Sequence, residues 1–398
     1  MKEVLIASFD MEVGGVERSL INMLESFDYG NYKVDLMLYR HQGDFMKLLP
    51  SKPNLLEEIP QYTTFRKSIS ETIKEGYIVL GLSRILAKVN TNYYHKRTKI
   101  AEPGYYQMQM MWRYTLPFLP KMEKEYDVAI SYLWPHYFVA EKVKARKKIA
   151  WIHTDYSIIE TDIEMDLKMW KKFDHIIAVS EACKNAFLAK YKDLESKVSV
   201  IENITSPEFI QKMSQEQLDN RMVNDKRFKL LTVARLSHAK GIDKAVKALR
   251  LLKDKGYTDI SWYVVGYGGE EVKIKELIRQ NNLDDNFILL GKKTNPYPFM
   301  KACDLYVQPS RYEGKAVTVT EAKILAKPII VSNYSTAVSQ IDNGEDGIIC
   351  EDLSVESIAV EIEDLYKNEQ LRNKFVDHNM TCNHSNVDEL KKLYSLIG

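Results

Sequence analysis

The stretch "DLYVQPSRYEGKAVTVTEAKILAKPIIVSN", Asp304 to Asn333, reads as strand, turn, helix, strand. DLYVQPS and KPIIVSN are short apolar runs, and everything after Lys315 has helix-compatible composition. The same rhythm continues on both sides. Further strands are expected at Val4–Phe9, Tyr32–Tyr39, Tyr126–Leu133, Lys148–His153, His175–Ser180 and Lys197–Asn203, then at Phe228–Arg235, Ile260–Gly266, Asn286–Gly291 and Gly347–Glu351. Continuous apolar strands alternating with helical patterns imply parallel sheets covered on both faces. Two such series in tandem predict an α/β chain of two doubly wound, Rossmann-like domains.

The polar segment Pro207–Arg227 carries no strand signal and marks the junction. The expected division is 1–205, 206–384 and a closing helix over 385–398, where Val387, Leu390, Leu393 and Leu396 have helix-face spacing. Residues 61–120 break the rhythm and read as a helical insertion. They hold nine Lys or Arg against three Glu, and ten aromatics. A second basic cluster follows at Lys142–Lys148. Either these are ordinary solvated cations, or the insertion lies against anionic lipid with its aromatics at headgroup depth.

Composition narrows the class. At 45% hydrophobic and 28% charged residues the chain is ordinary for a globular protein. A net charge of +1 argues against a nucleic-acid binder that relies on bulk charge. Cys183, Cys303, Cys350 and Cys382 are too far apart for a C-x-x-C motif and suit buried thiols in a reducing compartment. Val4–Phe9 is too short for a signal peptide, and Arg84 interrupts the best apolar run, so a cytoplasmic protein is expected.

Ligands of doubly wound sheets bind at the carboxyl ends of the strands. Gly14 and Gly15 follow the first strand and open a helix, which suits either an anion or a simple tight turn. Arg235 and Lys240, five apart at a strand end, can clamp a diphosphate. Gly266 and Gly268 end another strand without completing a dinucleotide fingerprint. Gly314 to Val317 place N–H groups of a helix start near Glu313, with Glu321 two turns further along. Two carboxylates beside an anion site make sense as acceptors for hydroxyl groups, one for a sugar and one for a ribose. His153 ends a strand, where it can contact a sugar or serve structure alone. No D-x-D pair or His/Cys/Asp cluster calls for a metal, and no local signature assembles a Ser-His-Asp or Cys-His set.

Taken together, "EGKAVTVTEA" resembles the E-x7-E signature of retaining nucleotide-sugar glycosyltransferases of the GT-B fold, glycosyltransferase family 4. "GGVER", "IHTD", "ARLSHAKG", "VGYG" and "MKACDLYVQPSRYEG" follow in that family's order. The resemblance implies a GT-B fold whose two domains close on the donor. It gives Glu313 the donor-sugar hydroxyls and Glu321 the ribose. Arg235, Lys240, Gly15 and the backbone of Ala316 and Val317 would hold the diphosphate, with Gly266 and Gly268 in the nucleotide-side loop. His153 would contact the donor sugar near its anomeric carbon. It further implies a UDP-sugar donor as substrate, no cofactor or metal, and a glycolipid or polysaccharide acceptor in bacterial-type cell-surface glycan synthesis. A position at the inner face of the membrane fits that acceptor. Lys315 and Ala316 stand where the common form has phenylalanine and glycine, and Thr318 replaces a usual proline. Two other readings keep the fold: a nucleotide-sugar-binding partner subunit without catalysis, and an epimerase or hydrolase that consumes donor without acceptor.

Overall fold

The computed structural model describes residues 1–98, 103–154, 156–157, 159–217, 221–313 and 315–398. Gly314, Asp155 of the "IHTD" motif and residues 218–220 of the expected junction lie outside these. The chain forms two compact units, residues 1–204 with 386–398, and residues 205–385.

Unit 1 is built on a parallel sheet of seven strands: β1 (Lys2–Ser8), β2 (Tyr32–Leu38), β3 (Asn54–Leu55), β4 (Glu125–Ser131), β5 (Lys144–Ile152), β6 (His175–Ala178) and β7 (Val198–Val200). Their order is β3-β2-β1-β4-β5-β6-β7. The chain runs outward from β1 to β3, then returns to the other side of β1 as β4, so the strand order reverses between β1 and β4. Between β3 and β4 all regular structure among the described residues is helical, chiefly Ile78–Thr98 and Pro103–Thr115. These two helices pack with Tyr94 stacked on Tyr106 at 4.2 Å.

Unit 2 repeats the design with six parallel strands: β8 (Phe228–Val233), β9 (Ile260–Val265), β10 (Phe287–Gly291), β11 (Leu305–Gln308), β12 (Ile329–Val331) and β13 (Ile348–Ile349), in the order β10-β9-β8-β11-β12-β13. Its reversal lies between β8 and β11. All six residues of β9 are buried, because helices cover both faces. Leu230, Trp262 and Val264 enter one apolar cluster, whereas Leu231, Tyr263 and Val265 enter another. That alternation is the period of two expected of a strand buried on both sides.

Three expectations need correction. The strand expected at Lys148–His153 begins earlier, at Lys144, so most of the basic cluster Lys142–Lys148 is the start of β5. The helix after Lys315 begins only at Val317, which puts Glu321 about one turn from its start instead of two. Of the four thiols only Cys303 and Cys350 are buried; Cys183 is half-buried and Cys382 exposed.

Candidate active site

The reversal in unit 2 gathers the residues the sequence singled out there. At the end of β8 the chain passes Arg235, which is exposed and pairs with no described acid, and reaches Lys240 in a short 3-10 turn. At the end of β11 it turns through Pro309–Tyr312 to Glu313. The Lys240 ammonium lies 2.5 Å from Glu313 Oε2. Gln308 Nε2 and the Ser310 hydroxyl donate to Oε1 at 3.0 and 2.6 Å, and Thr336 donates to the Glu313 backbone carbonyl at 3.0 Å. The Glu313 side chain is only 6% exposed, so it is a fixed, nearly covered carboxylate with one cation and two neutral donors. Such an arrangement fixes the direction in which the carboxylate points.

The helix Val317–Ile324 starts beside it with no side-chain cap. The Ala316 N–H, expected to meet a phosphate, donates to Gln340 Oε1 at 2.9 Å, while Gln340 Nε2 returns to the Ala316 carbonyl at 3.0 Å. A side-chain amide therefore occupies the backbone of Ala316 in both directions. Val317 is the first helical residue, where backbone N–H groups have no partner within the helix. Glu321 is fully buried and accepts from the Tyr297 hydroxyl at 3.0 Å.

The loop after β9 packs on the same corner. Gly266 has φ +151°, and a Cβ there would stand 1.8 Å from the Ala234 carbonyl oxygen. At Gly268 a Cβ would meet the Leu236 carbonyl at 2.3 Å. These glycines let the loop lie flat against the segment that bears Arg235.

In unit 1, His153 follows the last residue of β5. Its ring stacks near Trp151 and tilts against Tyr132 at 4.6 Å. Both ring nitrogens are shielded from water, and burial holds the pKa down at about 3, although the Tyr132 backbone and the Asn203 side chain favour the proton. His153 is thus a neutral imidazole at neutral pH. Gly15 opens the helix Gly15–Glu25, and a Cβ there would meet no atom. The Glu17 carboxylate turns back onto this helix start and receives its own backbone N–H; burial raises its pKa.

Gln308, Ser310 and Gln340 were not anticipated. The first two stand five and three residues before Glu313, a spacing visible in "QPSRYE"; Gln340 is 24 residues beyond Ala316 and carries no local signal. Among the described residues, no group of three or more His, Cys, Asp and Glu is placed to hold a metal ion, and no helix is long and apolar enough to cross a membrane.

Over its full length the chain is similar in structure to the Anabaena protein HepE solved with UDP and glucose (TM-score 0.65, 17% identity, covering 100% of this chain and 99% of that one). That likeness establishes the fold as GT-B. In sequence it is 31% identical over 215 residues to a capsular polysaccharide biosynthesis glycosyltransferase, CapM, of Staphylococcus aureus, covering 51% of this chain and 55% of the relative. It is 26% identical over 211 residues, 52% of this chain and 54% of the relative, to an N,N'-diacetylbacillosaminyl-diphospho-undecaprenol alpha-1,3-N-acetylgalactosaminyltransferase of Campylobacter jejuni. The chain spans about half the length of these curated relatives. Residues 213–379, the part of unit 2 that holds Arg235, Lys240, Glu313 and Glu321, match the model of the family described as glycosyl transferases group 1.

Proposed function

We propose that the chain is a glycosyltransferase that moves a sugar from a UDP-sugar to a lipid-linked or polysaccharide acceptor of a cell-surface glycan, with retention of configuration and without a metal ion. The observation that carries this reading is Glu313, held by Lys240, Gln308 and Ser310 where the strand order of unit 2 reverses. The match of residues 213–379 and the two named relatives support it.

On this reading Glu313 accepts from donor-sugar hydroxyls. Arg235 and Lys240 stabilise the charge that builds on the departing diphosphate, with Val317 N–H adding to them. Loss of one such aimed donor costs about 10²–10³ in rate. Lys240 then has two anions to serve, the carboxylate and the phosphate, and its short 3-10 turn beside Gly241 positions it for both. Gly266 and Gly268 flank the nucleotide side, Gly15 faces phosphate, and His153 offers the sugar a neutral imidazole, a hydrogen-bonding group rather than a strong acid. Ala316 contributes its backbone only if Gln340 yields. Glu321 is assigned the ribose on the resemblance alone, because its carboxylate is covered. Location at the cytoplasmic face of a membrane belongs to the same proposal, and its structural support is the apolar outer stripe of Ile78–Thr98 discussed below.

Thermal shift against UDP, GDP, ADP, NAD and a set of UDP-sugars tests the donor class. A ligand that binds only the folded state adds about 2.7 kcal/mol at a hundredfold excess over its Kd. UDP and one or two UDP-sugars are expected to raise the midpoint, and NAD to leave it unchanged. Glu313→Gln is expected to lose transfer by at least about a hundredfold while keeping UDP affinity. No shift with any nucleotide overturns the reading, and donor consumption that needs no acceptor replaces it with a hydrolase or epimerase. Nucleotide binding without turnover of any kind leaves the partner-subunit reading.

A further inference from the structure

Lys240 and Glu313 reach each other from two separate connections of unit 2, the turn after β8 and the turn after β11. A lysine ammonium rides on a flexible four-carbon stem, so where it can point depends on how firmly its backbone is held. Arg311 ties the two turns together. Its backbone N–H donates to the Ala239 carbonyl at 2.7 Å. Through Nη1 it donates to the His238 carbonyl at 2.8 Å and to Asp243 Oδ1 at 2.7 Å, and through Nη2 to Asp243 Oδ2 at 2.6 Å. The gripped residues, His238, Ala239 and Asp243, flank Lys240 on both sides.

The main chains also touch. Gly241 has φ +65°, and a Cβ there would stand 2.0 Å from the Pro309 carbonyl oxygen. Asp243 lies in the first turn of the helix Ile242–Asp254, where the helix dipole favours a carboxylate. Most of the Arg311 and Asp243 side chains is shielded from water. Two parallel N–H···O bonds fix the relative orientation of both groups, which a single ammonium contact does not. Both amino groups of Arg311 are spent on Asp243, so this cation serves the loop rather than a phosphate.

We infer that Arg311 and Asp243 are a positioning pair for the transfer: they lock the Lys240 turn onto the Glu313 turn, so that one ammonium meets both the carboxylate and the donor diphosphate. The inference rests on the transferase reading and gives a role to the arginine of "PSRYEG", which that reading leaves unassigned. Neither residue touches the donor. Their effect on it passes through Lys240.

The test is calorimetric titration of UDP into the full chain. Arg311→Lys keeps the charge and loses the fork; Asp243→Asn keeps the shape and removes an anion. The second variant is diagnostic by sign. If Asp243 acts only through its field, removing a negative charge near the site tightens the binding of an anion. If it holds Lys240 in place, removing it weakens that binding. Each variant is expected to raise the Kd of UDP about tenfold, the scale of one hydrogen bond to a charged group. Lys240→Met should raise it at least as much, and adding either substitution to Lys240→Met should raise it no further, because the contact they serve is already gone. The two variants break the pair from opposite sides, so one that folds suffices. Unchanged or tighter UDP binding by a folded variant overturns the inference. A loss that adds in full to that of Lys240→Met also overturns it, because the pair then supports the unit without acting through Lys240. A parent chain that binds no UDP overturns the transferase reading itself, whereas UDP binding by the parent and equally by both variants overturns the positioning pair alone.

Discussion

His136 is a buried imidazole at the start of a short helix in unit 1, with Nδ1 2.8 Å from the Ser131 hydroxyl. Burial lowers its pKa to about 3, with the neighbouring His153 adding to the effect. In the unfolded chain the same ring titrates near 6.5. Below that pH the unfolded state takes up a proton that the folded state refuses until about 3, so stability falls as pH falls across that window and is fully present above it. The loss is about 1.4 kcal/mol per pH unit, or about 2 kcal/mol by pH 5. His136→Asn should lower the melting temperature at pH 7 yet show a smaller further drop at pH 5 than the parent. An unchanged drop would place the acid sensitivity elsewhere. Backbone constraint gives a second prediction. Gly266→Ala pushes a Cβ into the Ala234 carbonyl at φ +151°, and should cost unit 2 about 2 kcal/mol or more in a urea melt. Gly269→Ala, where a Cβ meets nothing, should be close to neutral. Single residues were legible in the sequence where chemistry and position coincide at a strand end, as for Lys240 and Glu313. Gln340 and the fold-back of Glu17 were not, because both fill hydrogen-bond valences created only when distant or looped-back backbone comes together.

Elements were legible to the degree that burial imposes a pattern. The fully apolar β9 announces itself; the two-residue edge strand β3 does not, since Asn54 and Leu55 are both exposed and pair on one side only. The start of β5 was hidden because four of its first five residues, Lys144, Arg146, Lys147 and Lys148, are cations that fall on both faces and leave no apolar period of two. The helix Ile78–Thr98 shows the opposite case, an apolar pattern facing outward. Ile78, Val79, Leu82, Ile85, Leu86, Val89 and Tyr93 are 40–61% exposed and share one face. Leu80, Ala87 and Thr91 on the other face are buried, and Arg84 is spent inside, donating to the Thr64 and Lys67 carbonyls. This helix contains no acidic residue, while Lys88, Lys96 and Arg97 remain on it. A second copy of the same surface would bring like charges together, whereas anionic lipid complements it. The protein should float with vesicles containing phosphatidylglycerol and far less with phosphatidylcholine alone. Leu82→Glu with Leu86→Glu should cut that binding about tenfold or more without lowering the melting temperature. A dimer that dissociates in this variant, with no vesicle binding in the parent, would show that the stripe meets protein.

At the scale of the whole molecule, unit 1 is discontinuous in sequence: its last piece, 386–398, is made only after the whole of unit 2. Leu390, Leu393 and Ile397 of the helix Glu389–Ile397 are buried in unit 1. Tyr394 stacks on Tyr32 at 5.2 Å, meets Phe27 edge-on at 5.5 Å and receives the Asp28 N–H at 2.8 Å. Lys147 and Lys2 donate to the Leu396 and Ile397 carbonyls, cations at the negative end of the helix. Burying three aliphatic side chains is worth on the order of 6 kcal/mol, comparable with the entire stability of many domains. Removing 386–398 should therefore unfold unit 1 selectively. The tryptophans make this readable, because Trp112, Trp134, Trp151 and Trp170 belong to unit 1 and Trp262 alone to unit 2. In a Trp262→Phe background the truncated chain should emit like an unfolded protein at 25 °C, while circular dichroism retains a cooperative transition from unit 2. Native-like emission that melts at the parent temperature would mean that the closing helix is an ornament on a unit already stable without it.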